Sequence, residues 1–143
     1  MINLYEKGRL LEKNVLDYFR YHHFVGCRAA QSRGPYDVIV SPPSTCFTTT
    51  TLHIQIGPKS KKELQYLSDI ATGHAGFKAH LFFSKTEKQP RIKLLHEDEY
   101  SHLPAFLMKW YNFEANEYLF GWKEAIHNQT LVDRETRKAN KLV

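Results

Sequence analysis

Apolar residues recur at three-to-four spacing near the start of the chain. Leu4, Leu11, Val15, Leu16 and Phe19 form the stripe, and Lys7, Arg9, Glu12, Lys13 and Arg20 fall between them. That period predicts an amphipathic helix over 4–23, ended by His22, His23 and Gly26. The period then changes. Residues 24–30 read as a short strand, 31–35 as a turn-rich loop and 36–40 as a second strand. Pro42-Pro43 forces a turn in the connection over 41–51, and four threonines, Thr48 to Thr51, lead into a third strand over 52–56. Alternation there puts Leu52, Ile54 and Ile56 on one face and His53, Gln55 and Gly57 on the other. Leu64, Leu67 and Ile70-Ala71 predict a second helix over 59–71. Residues 77–84 and 91–95 read as a strand pair.

From Glu97 the pattern is helical and aromatic, with Tyr100, Phe106, Trp110, Tyr111, Phe113, Tyr118, Phe120 and Trp122. The order helix, three strands, helix, two strands, helices predicts an α/β domain built on a mixed central sheet flanked by helices. Residues 1–96 are expected to form the core. Residues 97–143 are expected to form a helical, aromatic-rich extension packed on the core or on a dimer interface, with a basic, frayed end from Arg134 to Lys141.

Composition adds limits. The chain has 143 residues, 42% hydrophobic and 13% aromatic, enough for a core in one domain. Lys and Arg exceed Asp and Glu by 20 to 15, a net charge of +5, which fits a nucleic-acid partner without requiring one. Apolar runs fall short of the roughly 18 residues of a membrane span. The charged beginning MINLYEKGRLLEKN has no signal-like apolar stretch. An intracellular, reduced setting is expected, with Cys27 and Cys46 unpaired.

Two polar residues interrupt apolar runs where a core strand has no use for them. Asp37 follows the turn Gly34-Pro35-Tyr36, and Gln55 sits inside the third strand. A carboxylate and an amide carbonyl on neighbouring strands make half of a site for a hard divalent cation; a strand-capping aspartate is the plainer alternative for Asp37. Glu12 borders the helix stripe. It is either a surface residue paired with Arg9 and Lys13 or a carboxylate aimed at the sheet. Arg28 and Arg33 bracket Ser32, as a solvated basic loop or as a clamp on a phosphodiester. His22 and His23 diverge on a helix and read as end residues favourable to its dipole. Lys59, Lys61 and Lys62 crowd a helix start, where their charge opposes the dipole and points to an anion.

Lys7-Gly8 with Glu12, the run Arg28-Ala29-Ala30-Gln31-Ser32-Arg33-Gly34-Pro35-Tyr36-Asp37, and Ile54-Gln55-Ile56 together resemble the archaeal-type Holliday junction resolvases of the restriction-endonuclease-like PD-(D/E)xK nuclease superfamily. The resemblance covers roughly residues 5–95 and leaves out the tail. It implies a restriction-endonuclease-like core, a homodimer, and magnesium-dependent cutting of four-way DNA junctions, with manganese as a substitute. On this resemblance Glu12 matches the helix carboxylate, Arg28 the phosphate-side arginine, Ser32 the active-site loop serine and Asp37 the metal-binding aspartate. Gln55 stands where the family has glutamate or glutamine. Asp37, the Gln55 carbonyl, the Ile56 backbone carbonyl and Glu12 are the implied metal ligands; Lys7, Arg9, Arg28, Arg33, Lys61 and Lys62 are the implied DNA contacts.

One position departs. The family has a lysine two residues after Gln55, thought to orient or activate the attacking water. This chain has Gly57, followed by Pro58. Lys59 is the nearest substitute, two residues or about 6.6 Å further along an extended chain. Three functions follow: an intracellular junction nuclease of recombination or phage genome processing, a non-cleaving branched-DNA binder, or a basic protein-interaction domain.

Overall fold

The computed structural model describes residues 4–28, 36–46, 48–71, 76–83, 89–115, 134 and 137–139. The elements are α1 (Leu4–Tyr21), β1 (Val25–Arg28), β2 (Val38–Ser41), β3 (Leu52–Ile56), α2 (Lys61–Ala71), β4 (Phe77–Phe83), β5 (Pro90–Leu94), β6 (Ser101–His102) and α3 (Leu103–Tyr111). The strands form one six-stranded sheet in sequence order. Among the described residues only β3 and β4 run parallel, joined through α2; the other neighbouring pairs are antiparallel. The fold is the α/β arrangement the pattern predicted, a mixed sheet with helices on both faces.

Alternation assigns the faces. Val38, Val40, Leu52, Ile54, Ala79, Leu81, Ile92 and Leu94 are all buried and share one face through the strand registers. Leu11, Val15, Leu16 and Phe19 of α1 and Leu103, Phe106, Leu107 and Tyr111 of α3 join them in the core. Gly26 permits the close approach of α1: a Cβ there would lie 2.8 Å from Val40 Cγ1 and 2.9 Å from Leu16 Cδ2. The opposite face carries Gln55 and His80 and is covered by α2.

The helix ends differ from expectation in instructive ways. His23, not Gly26, takes the left-handed position after α1, with φ 67°. Its N–H donates to the Arg20 carbonyl, and the Phe24 N–H donates back to Phe19. This is a Schellman closure, completed by the ring contact of Phe19 and Phe24. His22, expected as a helix-end residue favourable to the dipole, is buried against the rings of Tyr18 and Phe113. α2 starts after Ser60, whose hydroxyl accepts the Glu63 N–H while the Glu63 carboxylate accepts the Ser60 N–H. That reciprocal capping box answers the basic helix start internally, so the lysine cluster does not by itself call for an anion.

The segment after Glu97 is not simply helical. β6 adds a short edge to the sheet before α3, and a two-residue strand has no readable period. Pro104 sits in the first turn of α3, where its missing N–H costs nothing. The predicted aromatics Tyr118, Phe120 and Trp122 lie outside the described residues, as does most of the basic end.

Candidate active site

The site forms where the last residue of β1, the entry to β2 and the exit of β3 meet at one end of the sheet. Val38 is the last paired residue of β2, opposite Ile54, and the residue before it, Asp37, bonds to both neighbours of Gln55 in β3. Asp37 is not a strand residue. Its N–H donates to the Ile54 carbonyl, and its Oδ2 accepts the Ile56 N–H at 2.8 Å. The carboxylate is thereby tied to β3 through the residue after Gln55. Burial raises the Asp37 pKa above the ordinary aspartate value; the Ile56 bond opposes that, the Glu12 charge adds to it, and Lys59 and Arg28 pull it down. Four predicted site residues therefore act on one another electrostatically.

Gln55 is 8% exposed, and its Oε1 is buried without a hydrogen-bond partner. An unpaired buried carbonyl oxygen is costly, and beside a carboxylate it suits a hard divalent cation. Among the described residues no group of three or more His, Cys, Asp and Glu could hold a metal. A cation here must rely on Asp37, the Gln55 amide and backbone or solvent oxygens. Ile56 serves the site through its N–H bond to Asp37.

Glu12 reaches the sheet. Its Oε2 accepts the Arg28 Nε–H at 2.6 Å, while Lys13 pairs with Asp17. Arg28 is on the α1 face of β1 because it shares that side with Gly26. Its position beside Glu12 requires α1 and β1 to pack as they do. One Glu12 oxygen is thus already engaged.

Gly57 has φ 109°, a conformation that side chains rarely adopt, although a Cβ would meet nothing within 4 Å. The turn of Gly57 and Pro58 ends β3 and delivers Lys59 to the α2 face. Lys59 and Gln55 line the same cleft, and the Lys59 amine lies 3.8 Å from Glu63 Oε2. Its charge lowers the pKa of both Asp37 and His80.

His80 was not singled out by sequence reasoning. It is paired with Gln55 across the parallel β3–β4 ladder and is 2% exposed. Its Nε2 is 2.6 Å from the Gly57 carbonyl, so Nε2 donates, and its Nδ1 accepts the Tyr100 hydroxyl, also at 2.6 Å. Burial lowers its pKa, and the nearby lysines add to that. Lys93 follows across β5, over the Tyr100 ring. A polar row of Asp37, Gln55, His80 and Lys93 crosses the α2 face. A histidine inside the apolar run FKAHLFF was the available signal.

Ser32 and Arg33 lie outside the described residues, and so does the side chain of Lys7. Arg9 is exposed on α1; Lys61 and Lys62 are exposed at the start of α2. Arg9 and the α2 lysines occupy separate elements.

No family model matches the chain, and no curated protein matches it. Comparison with solved structures finds similarity to a Holliday junction resolvase. That protein is Hjc of the archaeal hyperthermophile Archaeoglobus fulgidus, 18% identical, with 66% of this chain and 80% of that chain covered and a TM-score of 0.48.

Proposed function

We propose that this chain is a metal-dependent DNA endonuclease that acts as a homodimer on four-way or otherwise branched DNA. The observation that carries the reading is Asp37, fixed on the Ile56 N–H, opposite the unpaired oxygen of Gln55 and within the field of Lys59. The motif order of the sequence supports the resolvase reading within that class. Asp37 and Gln55 hold magnesium, or manganese in its place, and the cation supplies Lewis-acid polarisation of a phosphodiester. Lys59 steadies negative charge that develops on the phosphate and orients the attacking water. Arg28 holds Glu12 and brings its positive charge to the DNA backbone. Two copies related by a two-fold axis place two such sites for paired nicks.

A labelled four-way junction incubated with Mg²⁺ or Mn²⁺ tests this. Paired nicks are expected from the wild-type chain and none from Asp37→Ala, with binding retained by both. Sedimentation gives the oligomeric state.

The second reading is a branched-DNA binder that does not cut. The positive φ of Gly57 favours it, because the backbone at that position is shaped for glycine and not for the family lysine. Tight junction binding with no metal-dependent nicks selects it. Absence of binding to any branched DNA at low salt rejects both readings and leaves a protein-interaction role.

A further inference from the structure

The cleft beside Gln55 has a volume of about 420 Å³, within the usual range for a small-molecule site. Its floor is the Gln55 amide and its inner wall is Leu67, which is buried. Tyr66 stands at its outer wall, 65% exposed. An aromatic ring left so open beside a cleft is a surface on which another flat ring can stack. Lys59 and Lys62 stand on the rim with Glu63. The Glu63 carboxylate is engaged by Ser60 and faces Lys59, so the rim keeps a net positive charge. Helical spacing sets Lys62 and Tyr66 on the same side of α2, four residues apart.

From these features we propose that the cleft receives one unstacked nucleotide of a DNA strand. Its base lies against the Tyr66 ring and the Leu67 wall, and its phosphate lies between Lys59 and Lys62 on the side of Gln55. This rests on the proposed nuclease reading and deepens it: the nucleotide in the cleft is the one adjoining the phosphate at Asp37. The ligand chemistry follows from the cleft itself. A ring face and an aliphatic wall accept the face of any base alike, and two amines take a phosphate. The strand is therefore selected by how readily a nucleotide unstacks. Nucleotides at a branch point leave the helical stack at least cost, which gives a physical basis for preferring branched DNA over a continuous duplex.

The experiment uses the full chain, without metal, and a four-way junction carrying 2-aminopurine at the exchange point. Wild-type protein is expected to change the 2-aminopurine emission on binding. Tyr66→Ala is expected to abolish that change and to weaken binding roughly 5- to 100-fold, the range for loss of one base–aromatic stack. Tyr66→Phe is expected to keep both within about twofold of wild type, which excludes a folding defect at this exposed position. Lys62→Ala is expected to lower the salt dependence of binding by about one ion. Unchanged emission and affinity in Tyr66→Ala would overturn the proposal even if the junction is still cut. Tyr66-dependent binding of deoxynucleoside monophosphates without any strand binding would overturn it as well, by assigning the cleft to a free nucleotide. Asp37→Ala separates the two levels: it is expected to lose cleavage and keep the Tyr66-dependent emission change.

Discussion

Asp37 Oδ2 accepts the N–H of Ile56 at 2.8 Å, so the carboxylate that entered β2 against the apolar pattern is bound to the strand that carries Gln55. Burial nevertheless raises its pKa, and the sign of the consequence is set by that direction. The folded state holds the Asp37 proton more tightly than the unfolded state does. Its contribution to stability is complete below the unfolded-state pKa and is lost as pH rises through the higher folded-state value. Asp37→Asn keeps an acceptor for Ile56 and removes the charge. It is expected to raise metal-free stability at neutral pH by about 1 kcal/mol, measured by urea unfolding. The same variant is expected to lose manganese binding, followed by calorimetry. In the wild-type chain, manganese affinity is expected to rise with pH as Asp37 ionises.

Gln55→Glu places a second carboxylate across from Asp37. Without metal the two charges repel, and stability at neutral pH is expected to fall by about 1–3 kcal/mol. With magnesium the added charge strengthens the site, and affinity is expected to rise roughly tenfold or more. A magnesium titration that shows no tightening would remove Gln55 from the ligand set.

His80 links the Gly57 turn to Tyr100 through two buried hydrogen bonds. His80→Phe leaves both partners unsatisfied and is expected to cost about 2–4 kcal/mol. The folded-state pKa is depressed, so the stability tied to neutral His80 is present above the unfolded-state histidine pKa and is lost as pH falls below it. The wild-type chain is expected to lose stability between pH 7 and pH 5, and His80→Phe is expected to flatten that slope. Urea midpoints at several pH values measure both.

Glu97 anchors α3 to β5. Its carboxylate accepts from the Leu94 N–H, the Trp110 indole and the Lys109 amine. Burial alone raises its pKa, but these bonds outweigh it and the net shift is downward. The stability it contributes is present above the unfolded-state glutamate pKa and fades as pH falls through the lower folded value. Glu97→Gln is expected to cost about 1–2 kcal/mol and to shift Trp110 fluorescence in the native state.

Local chemistry made much of this protein readable in one dimension. The 3.6-residue period of Leu11, Val15, Leu16 and Phe19 and the alternation of Leu52, Ile54 and Ile56 depend on neighbours a few positions apart, so α1 and β3 were legible. Ser60 and Glu63 form a capping box at a fixed three-residue spacing, a local signal set among lysines whose charge opposes the same helix end. Asp37 and Gln55 stood out because each breaks an apolar run. What they touch was not legible. Asp37 meets Ile56 only because β2 and β3 pair in one register, and a shift of one residue would turn Gln55 away from it. Glu12 had local partners available and took Arg28, sixteen positions away, because α1 lies across β1 over Gly26. His80 was an ordinary histidine in an apolar strand until β4 paired with β3 and set it between the Gly57 carbonyl and Tyr100. Residue chemistry along the chain determined which groups could act; the pairing of distant strands, which side-chain period does not encode, decided which of them meet.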